Sequence, residues 1–382
     1  MKILQVIQFF SSNHGGSAVV PYELSKNLQK RGHEVTVLTT DFQLNNDFID
    51  SLEGVEVIPF HCQLNIGGLL VSPSINKYLN ENIAKFDIIH MHNFRTYQNI
   101  IVYKYAKKYN IPCILQAHGS VSRIVEKKSL KYIYDVSCGN RLLKSVSNVI
   151  AVSNVEVNQY LQMNVPLEKV VVIPNGIDIG SFSNLPKKGS FRAKYHINQK
   201  HMILYLGRLH ERKGIDFLIR SFAELLTEMD NVILVLAGPD DGHLNKAKSI
   251  VEELSLNDKV KFTGFISSAE KLEAYMDADV LVYPSVLEIF GLVPFESITC
   301  GTPVIVTDDC GCGEFIKKAN CGYLVTYGDI IDLKYKIRQI LENPDIGSKF
   351  VENGNKYITN NLTWPLICKK IETLYEDCIH KK

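Results

Sequence analysis

The sequence predicts an α/β protein of two doubly wound domains facing each other across a cleft. Three observations lead there. Short runs rich in Val and Ile alternate with amphipathic stretches along almost the whole chain, as parallel strands covered by helices on both faces require. At 382 residues the chain is long for a single core. A polar interval, SNLPKKGSFRAKYHINQK, separates one strand series from the next.

In the first series the strand candidates are Ile3–Ile7, Glu34–Thr39, Val55–Pro59, Asp87–Met91, Cys113–Ala117, Asn148–Val152 and Val170–Ile173. The second series comprises Met202–Gly207, Val232–Ala237, Val260–Phe262, Val280–Tyr283, Val304–Val306 and Tyr323–Val325. The composition change marks a linker between about Pro174 and Gln199. Domains are therefore expected over 1–180 and 181–365, with a helical tail over 366–382 that packs back on the first. Ligands of such sheets sit beyond the carboxyl ends of the strands, so the chemistry belongs in the loops that follow them.

Hydrophobic content of 46% and charged content of 22% are ordinary for a globular enzyme, and a net charge of +1 gives no reason to expect nucleic acid. The nine cysteines are scattered, which favours a reducing cytosol. Cys310 and Cys312 are the only close pair, and without further ligands nearby they read as ordinary loop cysteines. The apolar start MKILQVIQFF is interrupted by Gln5 and Gln8 and reads as a first buried strand rather than a signal peptide. No apolar run approaches the ~18 residues of a membrane span.

The densest chemistry lies in SVLEIFGLVPFESITCGTPVIV, where seven residues separate Glu288 from Glu296. A strand ending at Tyr283 leads through the Glu288 loop into a helix opening near Gly291. The unpaired N–H groups of a helix start, here near Phe290, Gly291 and Leu292, attract phosphate. Carboxylates at the same place suit sugar hydroxyls. Upstream, GRLHERKG sets Arg208 after one strand and Lys213 before a helix, and two such cations can neutralise a diphosphate and stabilise a charged leaving group.

Other motifs say less. NHGGSAVV places Gly15 and Gly16 after the first strand, where either an ordinary turn or a close approach to a ligand fits. There is no GxGxxG and no GxxxxGK[ST], which disfavours hydride transfer and ATP chemistry. His90 and His92 fall on one face at a strand end and read as core or cleft-lining histidines rather than metal ligands. His118, followed by Gly119, either donates a hydrogen bond to a sugar hydroxyl or is a loop histidine satisfied within the protein.

Taken together, the GG loop, NVIAVS, IPNGID, GRLHERKG, VKFTGFI and the E-x(7)-E segment resemble the family 4 glycosyltransferases over nearly the whole chain. The resemblance implies the GT-B fold, two Rossmann-like domains, with the acceptor side in the first and the nucleotide-sugar donor in the second. Arg208 and Lys213 would bind the donor diphosphate, helped by backbone at Gly16, Gly291 and Leu292. Glu288 would contact the donor sugar hydroxyls, Glu296 would hold the ribose, and His118, as the cleft histidine, would contact the donor sugar. Gly264, Phe265 and Ile266 match the loop whose backbone meets the base. No metal and no cofactor are expected beyond a UDP- or GDP-linked co-substrate, because the Arg and Lys supply the positive charge. Two features depart from the family pattern: Ser297 stands where Ala usually follows the second glutamate, and TDDCGCGEF replaces a plain glycine run.

The implied reaction is retaining transfer of a hexose, by same-face attack, to a glycan or lipid-linked acceptor in surface polysaccharide assembly. Arg95, His118 and the basic stretch with Arg123, Lys127, Lys128, Lys131, Arg141 and Lys144 are the acceptor-side candidates. That stretch reads either as a solvated helix face or as an amphipathic helix lying on the inner face of a membrane. The alternatives are an isomerase related to UDP-sugar 2-epimerases and a silent nucleotide-sugar-binding subunit.

Overall fold

The computed structural model describes residues 1–11, 15–123 and 128–381. The chain divides into two compact units, one formed by Met1–Gly176 with Trp364–Lys382 and the other by Ile177–Thr363.

The first unit is built on a seven-stranded parallel sheet. Across it run Glu56–Phe60, Glu34–Thr40, Lys2–Val6, Ile88–His92, Cys113–Gln116, Asn148–Ala151 and Val170–Val172. Neighbouring residues of one strand feed opposite cores, as the period of two demands. Leu4, Ile89, Leu115 and Val149 enter the cluster containing Phe94, Val102 and Tyr160. Ile3, Ile88, Ile114 and Ile150 enter the cluster containing Leu24, Leu28, Ile367 and Ile371. Both faces are therefore apolar, and polar groups gather at the strand ends.

The second unit repeats the plan with six parallel strands, ordered Val260–Gly264, Val232–Ala237, His201–Leu206, Val280–Tyr283, Val304–Thr307 and Gly322–Val325. In each sheet the chain starts at a central strand, works outwards one way, then returns to the other side of that strand. The first switch point lies between Lys2–Val6 and Ile88–His92, the second between His201–Leu206 and Val280–Tyr283. At such a place the loops leave in opposite directions and open a crevice.

Two expectations need correction. The polar interval is not a long linker. Residues 190–194 form a helix with Phe191 fully buried, and the buried carboxylate of Asp277 accepts from the backbone N–H groups of Gly189 and Arg192. Arg192 also pairs with Asp279 at 3.0 Å. The lysines there mark a solvated face of the second unit, which composition cannot distinguish from a tether. The sequence reading also missed an antiparallel hairpin, Leu64–Ile66 with Leu69–Val71. Its Gly67-Gly68 turn, with φ of 61° and 98°, is the two-residue signal for such a hairpin.

The last helix, Trp364–His380, lies against the helix Gly16–Lys30 within the first unit. Arg31 holds Glu372 through two 2.6 Å bonds, and His33 adds a third contact at 2.8 Å. Trp364, the only tryptophan, covers Gly176 so closely that an added Cβ would stand 2.4 Å from its ring. Gly176→Ala is expected to destabilise the protein by about 1–3 kcal/mol through overpacking, with a shifted Trp emission maximum. Unchanged emission and melting would show that the helix docks some other way.

Candidate functional site

The second unit's switch point is where its charged groups converge. After the strand His201–Leu206 comes Gly207, and Tyr205 Oη donates to the Arg208 carbonyl at 2.8 Å. The loop closes at Gly214, whose φ of 67° opens the helix Ile215–Leu226. A side chain there would meet the Pro284 carbonyl oxygen at 2.0 Å, so glycine is required for the two switch-point loops to touch. Val286 N–H donates to the Arg212 carbonyl at 2.8 Å and ties them together.

This contact brings Lys213 Nζ into a hydrogen-bonded ion pair with Glu288 Oε2 and to 3.1 Å from Tyr283 Oη. Tyr283 in turn donates to the same carboxylate oxygen at 2.8 Å. Burial opposes ionisation of Glu288, but the Lys213 ammonium and these hydrogen bonds outweigh it and hold the carboxyl below its usual range. Burial keeps the Tyr283 hydroxyl protonated. The Glu288 loop is also anchored from behind, because Gly311 N–H donates to the Glu288 carbonyl at 2.7 Å.

The helix Leu292–Thr299 begins at Gly291 without a side-chain cap and without an acidic residue in its first turn. Its start is therefore electropositive and open to an anion. Phe290 is buried against Phe295 and Phe315, so only its backbone is available there. One turn on, Glu296 Oε2 accepts from Lys271 at 3.0 Å and from Tyr275 at 2.9 Å. Both partners come from the helix Ser268–Asp277, which a Ser267–Glu270 capping box starts. Arg208 is 61% exposed, and its pair with Asp241 at 2.7 Å is a surface contact worth about 0–1 kcal/mol. At the end of the strand Val260–Gly264, Gly264 takes φ 70°, Phe265 is 74% exposed and Ile266 is buried.

The departure at TDDCGCGEF now has a structural meaning. Cys310 and Cys312 are fully buried with their sulfurs 3.1 Å apart, at the start of the helix Gly311–Ala319 that braces Glu288. They are packed residues rather than loop cysteines.

In the first unit Gly15, at φ 61°, opens the helix that begins with Gly16, and both are exposed; Asn13 and His14 of the same motif lie outside the described residues. His118 sits just past the strand Cys113–Gln116 at φ 51°, a backbone state uncommon outside glycine. Two carboxylate oxygens hold this turn in place: Glu156 accepts from Gly119 N–H at 2.6 Å and from Val152 N–H at 2.9 Å. Behind His118, the rings of His92 and His90 follow in a buried stack. Arg95, an acceptor-side candidate, is largely taken up within the first unit. It is 10% exposed, pairs with Asp135 at 2.7 Å and donates to the Ser120 and Val121 carbonyls. The buried Asp135 needs that partner, and Arg123 shares it at 2.6 Å. Lys127 lies outside the described residues.

The sequence reading missed Tyr283, Lys271, Tyr275 and Glu156. Tyr283 was legible as the last residue of a strand entering the Glu288 loop; the others come from distant segments and had no local signal. No group of three or more His, Cys, Asp or Glu side chains able to hold a metal ion occurs among the described residues.

Comparison with known proteins finds matches along both units. Residues 14–181 match the model for Glycosyltransferase Family 4, and residues 187–357 match that for glycosyl transferases group 1. An uncharacterized glycosyltransferase of Methanocaldococcus jannaschii is 29% identical over 381 residues, spanning 95% of this chain and 94% of its own. The N-acetyl-alpha-D-glucosaminyl L-malate synthase of Bacillus anthracis is 26% identical, spanning 96% and 94%. The crystal structure of Anabaena HepE with UDP and glucose superposes with a TM-score of 0.80 at 21% identity, over 98% of this chain and all of that one. The shared fold is the GT-B architecture of two parallel-sheet α/β domains.

The buried histidines predict a pH dependence. Burial pushes His90 and His118 down to about 3 from 6.5, and lowers His92 as well. Between pH 6.5 and about 3 the unfolded chain thus holds more protons than the folded one, so their contribution is full above 6.5 and lost as the pH falls. Glu156, raised by burial from 4.5 to about 7, acts oppositely, contributing below 4.5 and losing that contribution as the pH rises through about 7. Three groups outweigh one: urea midpoints followed by Trp364 fluorescence should be lower at pH 5 than at pH 7.5. A midpoint that rises on acidification contradicts neutral histidines.

Proposed function

Because this chain belongs to the family 4 glycosyltransferases, we propose that it transfers a hexose from a nucleoside-diphosphate sugar to a hydroxyl of a glycan or lipid-linked acceptor, with retention at the anomeric carbon. The observation that carries this reading is the Lys213–Tyr283–Glu288 constellation beside the uncapped start of Leu292–Thr299. A nucleotide sugar needs cations and N–H donors for its diphosphate and acceptors for its hydroxyls, and this switch point offers both. In this reading Lys213 balances charge developing on the leaving phosphate. Arg208, held only at the surface by Asp241, leaves that partner at little cost and adds a second cation. Glu288 accepts from sugar hydroxyls, and Tyr283 keeps its carboxylate oriented.

Further assignments follow. Glu296, fixed by Lys271 and Tyr275, is assigned to the ribose hydroxyls. The backbone of Gly264, Phe265 and Ile266 is assigned to the base, that of Gly15 and Gly16 to phosphate, and His118 to a substrate hydroxyl. The leaving-group charge is met by side chains and helix N–H groups, so the reaction is proposed to need no metal. HepE was crystallised with UDP-glucose, which makes UDP-hexoses the first donors to try. A retaining outcome is proposed to arise by same-face attack, in which the departing phosphate takes the acceptor's proton.

Lys213→Met keeps the aliphatic stem and removes the charge. It should lower kcat on the order of 10²- to 10³-fold, about 2.7–4 kcal/mol of transition-state stabilisation. Glu288→Gln should lose turnover too, while nucleotide alone still raises the melting temperature. Turnover near wild type in either variant, at saturating donor and acceptor, removes the assignment. An inverted anomeric configuration in the NMR spectrum of the product removes the retaining part alone.

The acceptor side is proposed to meet a membrane surface. The helix Lys128–Tyr134 buries none of its residues, and Leu130, Tyr132, Ile133 and Val136 are 58–63% exposed beside exposed Lys128, Arg141 and Lys144. The hairpin turn at Gly67 abuts Leu130, and that hairpin exposes Leu64 and Ile66. Exposed apolar groups in a stretch that also exposes lysines and an arginine suit an anionic lipid interface. No helix among the described residues is long and apolar enough to cross a membrane. Co-sedimentation with phosphatidylglycerol vesicles at low salt should fall severalfold in Ile133→Glu. Equal sedimentation of variant and wild type rules this face out.

A further inference from the structure

Behind His118, a run of side chains crosses the first unit to its last helix. His118 Nε2 lies 2.9 Å from His92 Nδ1, and His92 Nε2 lies 2.5 Å from Gln5 Oε1. Gln5 Nε2 donates to Tyr375 Oη at 3.3 Å, and Tyr375 Oη lies 2.7 Å from His90 Nδ1. Strand register explains the grouping: Gln5 pairs with His90, and His92 with Gln116, on adjacent parallel strands. Apart from His118, every member is buried.

The direction of the run can be worked out. Each neutral imidazole has one N–H and one lone pair, so a fixed partner at one end sets every bond after it. All three imidazoles are neutral, because burial depresses their proton affinity. The fixed end is Gln116, whose Nε2 donates to Asn175 Oδ1 at 3.4 Å. That leaves Gln116 Oε1 as an acceptor, and the Gln116 side chain favours protonation of His90 as a facing oxygen does. Gln116 Oε1 and His90 Nε2 are both buried without a hydrogen-bond partner, and a proton on His90 Nε2 is the arrangement in which each can meet the other's need. Tyr375 must then donate its proton to His90 Nδ1 and receive Gln5 Nε2–H. Gln5 Oε1 accepts from His92 Nε2–H, which leaves His92 Nδ1 as an acceptor. His118 must therefore donate through Nε2–H. Its Nδ1 lone pair is left over, with no partner among the described residues.

We infer that Gln5, His90, His92 and Tyr375 form a polarised hydrogen-bond chain that fixes His118 as the Nε2–H tautomer, so that its Nδ1 accepts a hydrogen bond from a substrate hydroxyl. His92 is the nearest positioning residue, and Tyr375 links the C-terminal helix to the same site. The expected direction of the His118 contact is thereby reversed, from donor to acceptor. The substrate contact rests on the assignment of His118 to a substrate hydroxyl proposed above; the tautomer does not.

Long-range proton–nitrogen NMR of the ligand-free protein, with histidine nitrogens labelled and the His118 signal assigned by its loss in His118→Asn, reads the tautomer directly. The wild type should show Nε2 protonated and Nδ1 bare at pH 7. His92→Asn, whose Oδ1 can replace the acceptor Nδ1, should keep that pattern and most of the activity. His92→Leu should lose it, with kcat/KM lowered about tenfold, the size of one neutral hydrogen bond. Tyr375→Phe, a deletion of one hydroxyl far from substrate, should weaken the preference in the same sense. An Nδ1–H or doubly protonated His118 in the wild type overturns the chain, as does a tautomer unmoved in His92→Leu. A tautomer that moves with no change in turnover overturns the substrate contact while the chain stands.

Discussion

A parallel sheet buried on both faces has no room for chemistry except at its ends. In each unit the strands are Val- and Ile-rich runs whose alternate residues enter separate apolar cores. A charge placed mid-strand would meet a helix on either side and lose its hydration. Polar side chains are thus driven to the carboxyl ends, and there to the switch points, where the two neighbouring loops leave in opposite directions. Lys213 and Glu288 belong to the two loops of one switch point, and Gln5 and His92 to the two strands of the other.

The exceptions follow the same constraint. His90, His92, Gln5 and Gln116 are polar and buried within strands, and each has a hydrogen-bond partner there: His90 has Tyr375, His92 has Gln5, and Gln116 has Asn175. Asp135, fully buried, is offset by Arg95 and Arg123, and the Asp277 carboxylate by the backbone N–H groups of Gly189 and Arg192. Glycines recur where two backbones must meet, as at Gly214 against Pro284 and Gly238 against Gly207. A side chain at Gly214 would push the switch-point loops apart, and one at Gly238 would push apart the loops that follow Val232–Ala237 and His201–Leu206.

Much of this is legible along the chain, and the reason is local. Strands announce themselves through β-branched runs, and nearly every strand of both sheets fell within a residue or two of its expected place. Charged and glycine residues of the Arg208–Gly214 and Glu288–Gly291 loops stood out because each set is contiguous along the chain. Other features failed for a shared reason. The interval before residue 200 looked like a tether because Lys187, Lys188 and Lys200 are solvated whether or not Phe191 is buried beneath them. Arg95 looked available because Asp135 lies forty residues away in the chain.

By itself the sequence determined the α/β class, the parallel strands, and the charged and glycine residues of the loops that follow them, because periodicity and residue chemistry act over a few neighbours. The tertiary structure alone decided which of those residues meet. It closed Lys213 onto Glu288 across 75 positions, joined Glu296 to Tyr275, and ran a hydrogen-bond chain from Tyr375 to His118. Such pairings depend on strand order and helix packing, which bring distant segments within hydrogen-bond reach of each other without leaving any pattern along the chain.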